Sequence, residues 1–313
     1  MSAKQLTTRE LTAPPSLPRL YATSLVPGLP RWVGGSAPAG LPDLEVTLND
    51  FTVDPKELAA YDRVCGLRLS DDLPITYLHV LAFPLSMQLM TDKTFPYPLV
   101  GLVHLANRMA LHRSVSVGEK LSFRVRTDRL RTHKKGMLFD VLAEARVGDE
   151  LVWEGESSYL RPGKPSEAHV ATDLPDSLPG DTVPGDLEPP ADATAVIWSV
   201  PSDIGRRYGA VSGDVNPIHL HPWAAKAFGF PRHIGHGMWS HAKAMGGFEG
   251  RLPGAYRTDV RFLKPVLLPT TVAFTTFRYT VSGSGGGATG VDAFTIRGTS
   301  KNTPHLAGTI TPL

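Results

Sequence analysis

Four stretches toward the end of the chain, 256–268, 270–281, 291–298 and 305–312, alternate apolar with polar residues or are rich in β-branched and aromatic ones, and proline or glycine separates each from the next. Period-two alternation puts one set of side chains on one face of a sheet, so all four are predicted strands with no helix between them. Ahead of them, HGMWSHAKAMGGFEG (236–250) spaces its apolar residues at helical intervals and ends in glycines, which predicts a helix of roughly three to four turns. AVIWSV (195–200) reads as one more strand, and short helical turns flank the Ser212-Gly213-Asp214 segment that follows it.

The same order occurs earlier in the chain. The apolar helical stretch ITYLHVLAFPLSMQLM (75–90) precedes LVGLVHLANRMALH (99–112), EKLSFRVRTDRL (119–130), GMLFDVLAEARV (136–147) and ELVWEGESSYL (150–160). The two halves read as copies, and laying LHVLAFPLSMQLM over GHGMWSHAKAMGG sets His79 against His236 and Val80 against Gly237. One long helix followed by a run of strands predicts an α+β class, with an antiparallel sheet wrapped around each helix rather than a parallel βαβ arrangement. Residues 163–195 carry six prolines and seven acidic groups against one lysine, too little apolar surface to fold alone, and read as a linker. The predicted organisation is an N-terminal extension (1–40), a first half (41–162), the linker (163–195) and a second half (196–313).

Composition narrows the class. At 313 residues and 42% hydrophobic the chain can bury the cores of two domains. Its 32 basic and 30 acidic residues are spread along the sequence, which leaves no electropositive footprint for nucleic acid. The lone Cys65 excludes an intramolecular disulfide framework and a thiolate zinc site of its own, which fits a reducing, cytoplasmic setting. The first twenty residues lack the apolar core of a secretory signal, and no stretch approaches the roughly 18 apolar residues of a membrane helix, so no membrane insertion is expected.

The densest chemistry lies in SGDVNPIH, Ser212 to His219. Glycine, asparagine and proline put Asp214 on an irregular loop just before Pro217 begins a turn or short helix, with His219 five residues after Asp214. Taken singly, Asp214 or Asn216 could cap a helix and His219 could be a packed histidine. Taken together, Tyr208, Ser212, Gly213, Asp214, Asn216, Pro217, Ile218 and His219 resemble the signature of the hydratase 2 or MaoC-like dehydratase family. A second motif of that family, His-Gly-Met at the start of the central helix, stands here as His236, Gly237 and Met238. The resemblance implies a hot dog fold, with Asp214 and His219 as the catalytic pair. It also implies a double hot dog in which two halves, each a sheet around a long helix, form a pseudo-dimer.

The implied reaction is reversible hydration of a trans-2-enoyl thioester to an (R)-3-hydroxyacyl thioester in fatty acid metabolism. It needs a base for water, a proton for C2 and a donor for the enolate oxygen. Asp214 and His219 can hold the water between them, their individual roles staying open. The Gly237 N–H, at a helix N-terminus with no side chain in the way, is the candidate oxyanion donor. Asn216 orients the pair, and His236, Ser212 and Tyr208 complete the substrate-binding set. In the first half, Asp71 and Asp72 have no Asn-Pro and no histidine five residues on, and Val80 stands in the glycine's place, so that half is expected to be degenerate and non-catalytic.

No metal or other cofactor is expected. The histidines at 219, 221, 233, 236 and 241 lack HExxH spacing and a thiolate partner. VSGSGGGATG (281–290) joins two strands without the features of a phosphate loop, and the basic run RLRTHKK (129–135) reads as a solvated strand end. The expected partner is an acyl-CoA or acyl carrier protein thioester, taken by a pseudo-dimeric monomer or a homodimer of such chains. Two rival functions are a hot dog acyl thioesterase, against which SGDVNPIH argues, and a non-catalytic subunit of a heteromeric dehydratase, which need not keep Asp214, His219 and Gly237.

Overall fold

The structure, a computed structural model, describes residues 6–24, 40–164, 183, 187–282 and 288–313. Its first part comprises β1 (Thr7–Leu11), α1 (Leu17–Ser24), β2 (Leu44–Phe51), α2 (Pro55–Cys65), α3 (Ile75–Met90), β3 (Val103–Leu111), β4 (Leu121–His133), β5 (Gly136–Val147) and β6 (Glu150–Pro162). The second comprises β7 (Ala195–Val200), α4 (Ile204–Ser212), α5 (Pro217–Leu220), α6 (Pro222–Ala227), α7 (Gly237–Gly246), β8 (Tyr256–Phe262), β9 (Thr270–Ser282), β10 (Ala288–Gly298) and β11 (Pro304–Pro312).

The strands form one sheet of eleven, ordered β1-β2-β4-β5-β6-β3-β8-β11-β10-β9-β7. Read outward from the β3–β8 seam, β3-β6-β5-β4-β2 on one side repeats as β8-β11-β10-β9-β7 on the other, the same chain order in each half. The two sheets expected from sequence are therefore continuous, because β3 and β8 pair antiparallel from Ala106↔Arg261 to Leu111↔Tyr256. A single parallel pair, β1 on β2, extends the edge of the first half.

Each half wraps a helix that is apolar on nearly every side, as a helix with no solvent face must be. In α3, eleven residues are buried, from Ile75 to Met90, despite Pro84 in its interior. In α7, Met238, Trp239, Ala242, Ala244 and Met245 are buried together with Ser240 and His241. Gly237 is the first residue of α7 and Ile75 the first of α3, a helix of 16 residues against 10. Val80 is a core residue more than a turn further on.

Two buried carboxylates on the sheet, Asp259 and Asp140, are matched by arginines. At the seam Asp259, fully buried, accepts from Arg108 on β3 at 2.6 Å and from Arg257 on its own strand at 2.9 Å. Within the basic run, Arg129 and Arg131 both pair with the buried Asp140, and Arg129 also pairs with Glu156, so this is not a free cationic patch. Of the predicted linker, Val183 and Leu187 are buried against Ala293 and Ala307 of the second half, while 165–182 and 184–186 lie outside the described residues. The glycine-rich loop at 283–287 lies outside them too; β9 and β10 on either side pair antiparallel from Ser282↔Ala288 onward.

Removing the Asp259 carboxylate strands two guanidinium groups at the seam. Asp259→Ala is expected to lower unfolding free energy by about 2–3 kcal/mol, read as a lower urea midpoint. An unchanged midpoint would show that the seam does not depend on this pair.

Candidate active site

The SGD segment is shaped by backbone chemistry before any side chain acts. Gly213 ends α4 in the left-handed conformation at φ 72°, which favours glycine, and a Cβ there would collide with the Leu17 side chain. Ser212 Oγ donates to the Tyr208 carbonyl at 2.8 Å and accepts from the Asp214 N–H at 3.2 Å, so it shapes the loop, and Ser212 borders a small cavity shared with Asp214. Asn216 caps α5 by accepting from Ile218 N–H, Pro217 takes the first helical position, and His219 follows on that single turn. Gly205 lets α4 lie directly against the carbonyl of His219, where a Cβ would collide.

This places Asp214, His219 and His236 together, one donor atom of each lying within 4.8 Å of the others. The carbonyl of Ile234 accepts from His219 Nδ1–H at 2.9 Å, which fixes the tautomer and leaves Nε2 with its lone pair free. His236 stacks on His219 with ring centroids 3.7 Å apart, and its Nε2–H donates to the backbone carbonyl of Asp214 at 2.9 Å. Asp214 Oδ1 accepts from Tyr21 OH at 2.6 Å and from Asn216 N–H at 3.3 Å, while Oδ2 lies 3.7 Å from His236 Nε2. Two of the four imidazole nitrogens are spent on carbonyls, a pattern that orients a proton-transfer pair.

Burial is the largest influence on Asp214 and opposes its charge. The two histidines, the Tyr21 hydroxyl and the Asn216 N–H together outweigh it and hold the carboxyl below its ordinary value. Burial lowers His219, with the Asp214 charge acting the other way, and pushes His236 down to about 3, helped by His219. Both rings are thus neutral near pH 7.

These groups face a cavity of about 260 Å³. Asp214, Asn216, His219, His236 and Gly237 line it, together with Phe83, Met87 and Met90 of α3 and Leu99 and Leu102 beyond it. Tyr208 is placed differently from expectation. It is buried behind His236, 4.9 Å between ring centroids, and borders only a smaller adjoining cavity with Asp214, His79 and His104. The space over Gly237 is taken by Phe262, whose ring would lie 2.7 Å from an added Cβ, so ring packing as well as substrate approach requires the glycine.

Sequence reasoning missed Tyr21, which lies 193 residues from Asp214 in the N-terminal extension and belongs to no motif. It also missed Ile234, which acts through its carbonyl and so leaves no trace in residue type.

Fold and site together define a double hot dog protein with one Asp/His centre, in its second half. The MaoC-like domain family matches residues 185–288, and the FAS1-like dehydratase domain region matches residues 70–154. The 3-hydroxyacyl-thioester dehydratase X of Mycobacterium tuberculosis is 38% identical over 270 residues, covering 86% of this chain and 90% of that protein. The crystal structure of HtdX from the same organism superposes with a TM-score of 0.69 at 34% identity, covering 86% of this chain and all 100% of that one. Another Mycobacterium tuberculosis protein, described as having a double hotdog fold, superposes with a TM-score of 0.52 at 14% identity, covering 84% and 92% of the two chains, and shares the fold alone. The chain belongs to the MaoC-like dehydratase family.

The buried imidazoles set a pH dependence. His236 and His241, 2% and 0% exposed, are each pushed down to about 3, chiefly by burial. His79 and His104 are pushed to about 4 and about 3 for the same reason. Below about 6.5 the unfolded chain takes up protons that these folded histidines refuse, so the stability they contribute is complete above that pH and is lost as pH falls toward 3. Asp62, raised to about 7 by burial and then by Glu249, acts oppositely: its contribution is lost as pH rises from about 4 to 7. With His236 and His241 alone set against Asp62, the chain is expected to be less stable at pH 5 than at pH 6.5 by at least about 1 kcal/mol in urea titrations. Equal stability at the two values would contradict these assignments.

Proposed function

We propose that this protein interconverts trans-2-enoyl and (R)-3-hydroxyacyl thioesters through Asp214 and His219. The observation that carries the reading is a carboxylate beside an imidazole whose tautomer is fixed by Ile234, both facing an apolar cavity that begins at the N-terminus of α7. The relative named 3-hydroxyacyl-thioester dehydratase X supports the reaction class, and the resemblance of the SGD segment supports the stereochemistry.

In the hydration direction water sits between Asp214 Oδ2 and His219 Nε2, and the thioester oxygen lies at the Gly237 N–H, where the first turn of a helix has no internal acceptor. His219 Nε2 takes a proton from water as its oxygen bonds to C3. The electron pair of the C2–C3 double bond moves onto the thioester as an enolate, stabilised by the Gly237 N–H. The resting pair, carboxylate and neutral imidazole, holds no spare acidic proton. The proton taken from water is therefore the one delivered to C2, which restores the pair. Dehydration runs the same steps in reverse.

The first half supplies no reacting group in this scheme. Its α3 lends Phe83, Met87 and Met90 to the cavity wall, and that wall suits an acyl chain. The carrier is coenzyme A or an acyl carrier protein, and Lys264, which also lines the cavity, offers charge to the phosphates of either. One chain already pairs two hot dog halves, so it can act as a pseudo-dimeric monomer, alone or as a homodimer of such chains.

Asp214→Asn and His219→Ala are each expected to reduce crotonyl-thioester hydration by about 10²–10⁴-fold with an unchanged far-UV dichroism spectrum. Near-normal turnover by either variant would sink the assignment. Across C4 to C16 enoyl-CoA substrates the wild type is expected to accept long chains, and Met87→Trp to lose them selectively. Wild-type activity confined to C4 would contradict the acyl role given to α3.

A further inference from the structure

The motif itself gives the Asp214 carboxylate little hydrogen bonding. Within SGDVNPIH the carboxylate receives one donor, the Asn216 N–H at 3.3 Å. The short, strong donor is the hydroxyl of Tyr21 at 2.6 Å, contributed by α1 from outside both family-matched stretches, 70–154 and 185–288.

Several contacts hold that tyrosine in place. β1 pairs with β2 on the far edge of the first half, and Arg9 on β1 forms an ion pair at 2.8 Å with Asp92, just beyond α3. From there the chain reaches α1, where Leu17 fills the space left by the missing side chain of Gly213 beside the reacting aspartate. Tyr21, one turn further on, is 6% exposed and lines the cavity. Burial, followed by the Asp214 charge, raises its hydroxyl far above the ordinary value, so it remains a donor throughout the working pH range.

We infer that Tyr21 is a positioning residue for Asp214: its hydroxyl occupies Oδ1 and leaves Oδ2 as the oxygen that handles the reacting water. The N-terminal segment is thus part of the active site, and the second half is chemically incomplete without it. This inference rests on the dehydratase reading for its kinetic consequence but not for its electrostatic one.

The test is Tyr21→Phe in the full chain, which removes one oxygen and keeps the ring that packs α1. Loss of a hydrogen bond to a charged group predicts a fall in kcat of about 10- to 100-fold with little change in KM for a short enoyl thioester. The acid limb of the kcat profile is expected to move to higher pH, because a carboxyl without its donor protonates sooner. In ¹³C-aspartate-labelled protein the Asp214 carboxyl is expected to titrate at higher pH in the variant than in the wild type, a readout that needs no turnover. Unchanged kcat, pH profile and titration would overturn the inference. A fall in kcat with an unmoved profile and titration would also overturn it, since simple loosening of α1 gives that result. If the wild type failed to hydrate enoyl thioesters while the titration still shifted, the reaction assignment would fall and the Tyr21–Asp214 coupling would stand.

Discussion

A carboxylate kept charged beside a neutral imidazole in a largely buried site is the constraint on which the rest of this structure depends. Burial works against the charge on Asp214, and the neighbouring His236 and His219, then the hydrogen bonds from Tyr21 and Asn216, oppose it. Each local feature of the SGD segment serves this arrangement. The left-handed turn at Gly213 sends Asp214 off α4, Ser212 fixes the loop, Asn216 starts α5, and the Ile234 carbonyl sets the histidine tautomer. The buried His236 closes the back of the site by donating to the Asp214 carbonyl instead of to the carboxylate.

The duplicated architecture divides the labour. Strand order is the same on both sides of the β3–β8 seam, so the two halves are equivalent as scaffolds. They are not equivalent as sites. The second half opens α7 with Gly237, whereas the first opens α3 with Ile75 after Pro74, and among the described residues nothing matching the Asp/His pair precedes it. α3 lends apolar side chains to the cavity that Asp214 and His219 line, which runs between the halves.

How much of this was legible in the sequence depended on whether a signal was local. The Asp214–His219 spacing, the helix beginning at Gly237 and the succession of a helix and then strands in each half were readable, because turn residues, caps and alternation act over a few positions. Tyr208 and Ser212 were named for substrate contact on motif membership alone, and the structure gives them packing and loop-shaping positions. Tyr21 was invisible because its partner lies 193 residues away, and a contact at that separation leaves no mark in a single sequence.

The central claim is that the pair adds water to a carbon–carbon double bond and leaves the thioester intact. Incubation of the wild-type protein with crotonyl-CoA, followed by chiral resolution of the acyl product and titration of free thiol, tests it most directly. The account predicts (R)-3-hydroxybutyryl-CoA in equilibrium with crotonyl-CoA and no thiol released. Crotonate accumulating with stoichiometric free coenzyme A would contradict it.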